Sequence, residues 1–196
     1  MKVLVYSDIH GDIDSLNYLL SLNLEYDLFI VPGDISIFEK NITKIFNKLA
    51  EFKEVLIIPG NHEIKLNVDR YDNIHNINKT FFEKNNYRFL GLGHGGFSDF
   101  DPNAKILKPY IDKNMNNILI THAPPYKTKL DLIGENHVGN KTIRKSIKKN
   151  NFKFVFCGHI HETEGQVDRI NNTTIINCGI PFLVNIDENS YDKIIL

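Results

Sequence analysis

The sequence contains no tryptophan and only two cysteines among its 196 residues. Cys157 and Cys178 both lie inside apolar runs, so we expect buried free thiols rather than a disulfide, a metal-binding pair or a redox pair. Long apolar runs are also missing, since none approaches the roughly 18 residues that a membrane-spanning helix needs. The apolar part of the opening "MKVLVYS" is too short for a signal sequence. These features predict a cytoplasmic protein without a membrane segment.

A strong net charge is absent as well. The formal charge of -1 excludes a general electrostatic attraction to nucleic acid or anionic lipid, although a local basic patch is compatible with it. The basic run "NKTIRKSIKKNNFK" is interpreted as a solvated helix face, because no aromatic residues are interleaved in its helical part. With 42% hydrophobic residues over this length, we expect one domain, residues 1–196, whose core needs no disulfide.

Strand-like and helical patterns alternate from the start of the chain. Three apolar runs, "KVLVYS", "DLFIVPGD" and "EVLIIPGNH", are separated by the helical patterns "DSLNYLLSL", with Asp14 as the expected N-cap, and "EKNITKIFNKLAEF". This βαβαβ order predicts parallel strands joined by right-handed crossovers. Two later strands, in "NNILITHAPP" and "FKFVFCGHIHE", flank a short helix in "NKTIRKSIKKN".

Hairpins are predicted where turn residues separate two apolar runs. The turns fall at Asn85-Asn86, at Asn171-Asn172 and near Glu188-Asn189. We therefore expect an α/β fold in which strands from both ends of the chain build two packed sheets.

Polar side chains follow five of the predicted strands. They are Asp8 and His10, Asp34, Asn61 and His62, His122, and His159 with His161. Each one alone is ordinary turn chemistry. Because ligands bind at the carboxyl ends of the strands in such sheets, their recurrence at one edge predicts a metal site.

The mixture of imidazole, carboxylate and amide donors, without thiolate, suits divalent Mn, and Fe, Zn or Ni as alternatives. Seven candidate ligands are more than one ion takes, so we expect two ions about 3.5–4 Å apart that share one carboxylate. His159 and His161 are expected to alternate along an extended stretch and to reach different ions. Such a site is positively charged and favours a phosphate ester as substrate. His62, which is surplus to the ligand set, is the expected general acid.

The motifs "DIH", "GD", "GNHE", "TH" and "GHIH", in this order across residues 8–161, resemble those of the calcineurin-like metallophosphoesterase superfamily. The resemblance implies a four-layer αββα sandwich of two mixed β-sheets flanked by helices. It also implies two ligand sets that share the bridging Asp34, namely Asp8, His10, Asp34 and His161 for one ion, and Asp34, Asn61, His122 and His159 for the other. His62 would be the proton donor.

One departure from the motifs of this superfamily narrows the subgroup that the chain resembles. Ile37 stands where phosphoprotein phosphatases carry the second Asp of a longer G-D-x-x-D-R-G motif, so that activity is not expected, and the chain looks like the compact stand-alone prokaryotic phosphoesterases. We predict hydrolysis of phosphodiesters or phosphomonoesters, small-molecule or nucleotide, by in-line attack of a metal-bridging hydroxide. The alternatives are a nuclease and a non-catalytic, metal-stabilised protein-interaction module.

Two further histidines are candidates for substrate contacts. His94 lies in the glycine-rich "LGLGHGGFSDF" and His137 in the polar "DLIGENHVGNK". A flexible surface loop explains each of them equally well or better, because glycines also permit turns without any functional role.

Overall fold

Two six-stranded mixed β-sheets form the centre of this computed structural model, which describes residues 1–95 and 103–196. The strands are, in chain order, β1 (Lys2–Val5), β2 (Leu28–Val31), β3 (Val55–Ile57), β4 (Ile74–Asn76), β5 (Phe81–Lys84), β6 (Tyr87–Leu92), β7 (Asn116–Thr121), β8 (Leu132–Ile133), β9 (Asn136–His137), β10 (Phe152–Cys157), β11 (Val167–Ile170), β12 (Thr173–Asn177), β13 (Phe182–Asn185) and β14 (Ser190–Lys193). The α-helices are α1 (Ile13–Ser21), α2 (Ile42–Leu49) and α3 (Lys141–Lys149), with 3-10 helices at Ala104–Tyr110 and His161–Thr163.

Both sheets have a parallel centre with antiparallel strands at the margin. The first has the order β14-β13-β1-β2-β3-β4, in which β1 to β4 are parallel and the β13–β14 hairpin is antiparallel. The second has the order β11-β12-β10-β7-β6-β5, with β12, β10, β7 and β6 parallel. β8 and β9 form a separate two-stranded hairpin. All the parallel strands of a sheet therefore end at the same edge.

The two faces of each strand pack against different layers. In β10, Phe154 and Phe156 are fully buried between the sheets, whereas Val155 faces the layer that contains Ile143 of α3. In β1, Leu4 likewise faces away from the other sheet, toward α1 and α2. Burying each such side chain contributes about 1.5–3 kcal/mol. The expected αββα sandwich of two mixed sheets flanked by helices is confirmed.

The predicted hairpins are present, and two details of the prediction were wrong. Asp12, not Asp14, caps α1, because the Asp12 carboxylate accepts the N–H groups of Asp14 and Ser15 at 3.0 Å. β4 was missed because "IHN" offers one buried apolar side chain, that of Ile74, instead of a run. Within residues 1–95 and 103–196 no helix has the length and apolarity to cross a membrane. Cys157 and Cys178 are buried free thiols, as predicted.

Candidate metal centre

The loops that follow five strands meet at one edge of the sandwich and carry the predicted site residues. Those of the first sheet carry Asp8 and His10 after β1, Asp34 after β2, and Asn61 and His62 after β3; those of the second carry His122 after β7, and His159 and His161 after β10. The donors therefore come from both sheets.

Hydrogen bonds tie these loops to one another. The His10 N–H donates to the Asp34 carbonyl oxygen at 2.9 Å, and the His62 N–H donates to Asp34 Oδ1 at 3.0 Å. Across the two sheets, the His159 N–H lies 3.1 Å from both carboxylate oxygens of Asp8. Segments that are up to 151 residues apart in the chain thus fix one another's position.

The donor atoms form three overlapping groups, in each of which they lie within 4.8 Å of one another. The groups are Asp8, His10 and His161; His10, Asp34 and His62; and Asp34, His122 and His159. Asn61 joins the last group, because its Oδ1 lies 2.9 Å from His122 Nε2. His10 and Asp34 are each common to two groups, and Asp34 links the group of His10 to the group of His122.

Several donors adopt left-handed backbone conformations, which non-glycine residues seldom do. The φ angles are 56° at Asp8, 49° at His10, 48° at Asp34 and 74° at His159. Such strain persists only where surrounding contacts enforce it, and it clusters at functional sites. The expected extended stretch at His159 and His161 was wrong, since His159 is left-handed and His161 begins a 3-10 helix. Their side chains nevertheless belong to different donor groups.

Glycines let backbone approach the two carboxylates closely. A Cβ at Gly158 would lie 2.0 Å from Asp8 Oδ2, and a Cβ at Gly60 would lie 2.0 Å from Asp34 Oδ1. Both distances are far below van der Waals contact, so only glycine fits beside these side chains.

Replacing Gly158 with alanine is therefore expected to push the Asp8 carboxylate away and to weaken metal binding by about 10- to 100-fold. Isothermal titration calorimetry with Mn(II) measures the affinity directly. Gly134→Asn is the control, because a Cβ there meets nothing within 4 Å and asparagine tolerates the left-handed φ of 58°. Wild-type affinity in Gly158→Ala would show that the close approach does not position Asp8.

His122 is fully buried and presents one nitrogen to the site. Its Nδ1 lies 2.9 Å from the Pro32 carbonyl oxygen, which can only accept, so Nδ1 carries a proton. In the neutral ring Nε2 is then an acceptor that faces Asn61 Oδ1 at 2.9 Å. The nitrogen of His122 and the oxygen of Asn61 are then two acceptors that face each other, which is the arrangement expected of two ligands to one cation. These residues therefore fit a metal site.

The carboxylate of Asp34 favours positive charge at His122. Burial acts to lower the pKa of His122, but the hydrogen bond and charge of Asp34 raise that pKa to about 9. Burial acts to raise the pKa of Asp34, yet His122 and the His62 N–H hold it well below its usual range. For His159, burial and the neighbouring His122 lower the pKa to about 4. The carboxylate thus attracts a positive charge strongly enough to overcome burial.

Two glutamates hydrogen-bond to a ligand side chain or to the loops that carry the ligands. The sequence analysis assigned neither of them a role. Glu164 Oε1 accepts a hydrogen bond from His161 Nδ1 at 2.6 Å, which leaves Nε2 free to bind a cation. The buried Glu63 carboxylate accepts the N–H groups of Ser36 at 2.8 Å and Gly60 at 2.9 Å, and burial raises its pKa. Glu63 is the last residue of the motif "GNHE" and Glu164 lies three positions after the end of "GHIH", but the hydrogen-bond partners of both are visible only in the fold.

His62 belongs to the donor group that contains His10 and Asp34. Its Nε2 is 3.9 Å from Asp34 Oδ2, and its ring packs edge-on against the ring of His10 at 5.1 Å. Phe38 covers another side, with 4.5 Å between the ring centroids. The buried Nδ1 has no hydrogen-bond partner within the described part of the chain. The nitrogen that faces the site is therefore Nε2.

The two other predicted histidines are placed differently. The His94 N–H donates to the Pro59 carbonyl oxygen at 2.7 Å, which holds this residue beside the loop that carries Asn61, and burial lowers the pKa of its ring. His137 instead lies in the β8–β9 hairpin, where its Nδ1 is 2.8 Å from a carboxylate oxygen of the buried Asp131.

A sandwich that gathers carboxylate, imidazole and amide donors at its strand ends defines a divalent-metal hydrolase. The model of the calcineurin-like phosphoesterase family matches residues 1–163. The chain therefore belongs to the calcineurin-like phosphoesterase family and is a metal-dependent phosphoesterase.

Individual proteins are similar to this chain in sequence or in fold. Uncharacterized protein MJ1162 of Methanocaldococcus jannaschii is 36% identical over 194 residues, which cover 90% of this chain and 87% of that protein. The structure of TT1561 of Thermus thermophilus matches with a TM-score of 0.75 at 15% identity, over 98% of this chain and 97% of that one. An archaeal phosphodiesterase matches with a TM-score of 0.60 at 14% identity, over 100% of both chains. These two structural likenesses concern the fold.

Proposed function

We propose that the chain is a dinuclear phosphohydrolase that cleaves phosphodiesters or phosphomonoesters, with small-molecule or nucleotide substrates. The observation that carries the proposal is the position of Asp34, whose carboxylate belongs to two donor groups. One contains His122 and His159, and the other contains His10, which also forms a group with Asp8 and His161. Asp8, His10 and His161 would hold one ion with Asp34, and Asn61, His122 and His159 would hold the other. The archaeal phosphodiesterase of the same fold supports a diester substrate.

Some residues of the site would bind the metal ions, and His62 would transfer a proton. When bound, two divalent ions supply a hydroxide nucleophile near neutral pH and neutralise phosphate charge. His62 donates a proton from Nε2 to the leaving oxygen, because that nitrogen faces the site without being needed as a ligand. The Pro32 carbonyl accepts a hydrogen bond from His122 Nδ1 and Glu164 accepts one from His161 Nδ1, which leaves Nε2 of each ring for the metal. At His122 a bound ion would take the place of the proton that Asp34 favours there.

A metal-by-substrate panel tests this function. Bis-p-nitrophenyl phosphate, p-nitrophenyl phosphate, cyclic nucleotides and oligonucleotides are assayed with Mn, Fe, Zn, Ni and Mg, and with EDTA. We expect turnover of small esters, highest with Mn and abolished by EDTA. Cleavage confined to oligonucleotides and falling steeply with salt would favour the nuclease instead. Absence of turnover with every metal and every ester would favour the non-catalytic interaction module.

Glu164 provides a prediction about metal affinity. Glu164→Ala is expected to weaken Mn(II) binding by about 10- to 100-fold, because the His161 ring loses the partner that fixes its tautomer and orientation. Glu164→Gln keeps an acceptor oxygen and is expected to restore most of the affinity. Calorimetry measures the binding, and ¹⁵N NMR of His161 in the metal-free protein reports the tautomer. An unchanged His161 spectrum in Glu164→Ala would contradict the role.

His94 and His137 are proposed as substrate contacts. His94 is the stronger of the two, because its backbone is fixed beside the Asn61 loop and its ring is half-buried. His137 is oriented by Asp131, which also accepts the N–H groups of Lys127, Thr128 and Gly139. Such a rigid support fits a side chain that has to hold one orientation.

The organisation and location of the chain complete the proposal. We propose one domain over residues 1–196, because two of the three donor groups draw side chains from both sheets. We propose a cytoplasmic location, because both cysteines are buried free thiols, which a reducing compartment preserves.

A further inference from the structure

Three large apolar side chains are exposed in the loops that carry Asp34 and His62. The exposed fractions are 48% for Ile37, 75% for Phe38 and 87% for Ile64. Ile37 and Phe38 lie in the loop after β2, and Ile64 lies in the loop after β3. Scattered single apolar residues on a surface need no explanation, but three in adjoining loops at the rim of a reactive site do.

The two loops are held side by side. The carboxylate of Glu39 accepts the N–H groups of Ile64 at 2.8 Å and Lys65 at 3.0 Å. The N–H of Glu39 itself donates to Ser36 Oγ at 3.1 Å, and Ser36 is anchored by the buried Glu63. The apolar side chains therefore project from a fixed framework.

Phe38 is also held in a strained conformation. Its φ is 49° and that of Glu39 is 58°. A left-handed conformation is a genuine outlier for a bulky residue such as phenylalanine. Because the hydrogen bonds of Glu39 enforce it, the outward position of the Phe38 ring is a built feature of the loop.

The position of Phe38 relates it to the leaving group of the reaction. Its ring lies 4.5 Å from the ring of His62, with an interplanar angle of 50°. An ester oxygen that takes a proton from His62 has to approach within about 3.2 Å of the donor nitrogen. The Phe38 ring is therefore within reach of a group attached to that oxygen.

We propose that Ile37, Phe38 and Ile64 form an apolar subsite for the leaving group, so that the enzyme prefers phosphoesters whose leaving group carries an aromatic ring or an apolar chain next to the ester oxygen. The inference rests on the proposed function, because it takes His62 as the proton donor. Covering the exposed apolar surface favours such a group, and an aromatic ring gains further from packing against Phe38.

Benzyl methyl phosphate tests the subsite within one molecule. Its two alcohols have closely similar acidity, so the ratio of benzyl alcohol to methanol released reports the preference at the leaving-group position. We expect a ratio of about ten in the wild type, and a ratio near one in Phe38→Ala. Phe38→Tyr is expected to keep the wild-type ratio. If only monoesters are hydrolysed, kcat/KM for benzyl phosphate and methyl phosphate is compared in the same way.

Additional substrates, ligands and a control variant distinguish failure of the subsite from failure of the proposed function. Hexyl methyl phosphate shows whether a chain serves as well as a ring, and calorimetry with benzylphosphonate and methylphosphonate measures the preference without turnover. Tyr18→Ala, which removes an exposed aromatic residue from α1, is expected to leave every value unchanged. A wild-type ratio near one, or a ratio unaffected by Phe38→Ala, overturns the subsite but leaves the proposed function standing. Absence of turnover with every ester would contradict the proposed function itself.

Discussion

Replacing Asp34 with alanine is expected to remove both metal ions and to lower kcat/KM by at least about 10³-fold. Asp34 lies in two donor groups, with its Oδ2 3.5 Å from His122 Nε2 and 3.9 Å from His10 Nε2. Loss of this carboxylate removes the shared anchor and the negative charge that draws cations into the site. Metal content by mass spectrometry and steady-state kinetics are measured on the same preparation.

Two further variants distinguish loss of the metal ions from loss of the folded structure. Asp34→Asn keeps an acceptor for the His62 N–H and tolerates the left-handed backbone, since asparagine is enriched there. We expect it to fold normally and still to bind less metal than the wild type. Asp192→Asn, in the exposed strand β14, is the matched control. Two fully occupied ions in Asp34→Ala would contradict the assignment of Asp34 as the bridge.

Replacing His62 with alanine is expected to leave both ions in place and to lower turnover selectively. Esters with poor leaving groups lose about 10²- to 10⁴-fold, the range that general acid catalysis contributes. Esters of p-nitrophenol lose far less, because that leaving group departs without a proton. The His62 N–H to Asp34 is a backbone group and survives the substitution, so the metal ligands keep their support.

A pair of substrates with different leaving groups measures this selectivity directly. The ratio of kcat/KM for bis-p-nitrophenyl phosphate to that for an alkyl diester is expected to rise in His62→Ala. His75→Ala is the matched control, since His75 lies on β4 and pairs with Glu54 at 3.3 Å. An equal loss on both substrates would count against His62 as the acid.

Much of the fold could be predicted because its signals are local. Apolar runs indicated the strands, helical spacing indicated the buried faces of α2 and α3, and asparagine pairs indicated two of the three hairpin turns. The meeting of polar residues at one edge followed from the parallel arrangement alone. β4 and the β8–β9 hairpin lack such signals, because a three-residue and two two-residue strands are held by their neighbours.

The supporting residues of the site could not be predicted in the same way. Glu63 meets Ser36 across 27 positions, and the N–H of His159 meets Asp8 across 151. Pro32 acts through its carbonyl oxygen, a group that every residue has. The left-handed φ of His159 also depends on contacts with another sheet. Sequence spacing identifies the chemical types at a site, whereas such contacts decide how each is oriented.

Anomalous X-ray diffraction from crystals grown with Mn(II) tests the central claim most directly. The account predicts two manganese peaks in each chain, about 3.5–4 Å apart, with Asp34 bound to both. It further predicts Asp8, His10 and His161 around one peak, and Asn61, His122 and His159 around the other. A single peak, or two peaks without a shared Asp34, would contradict the account.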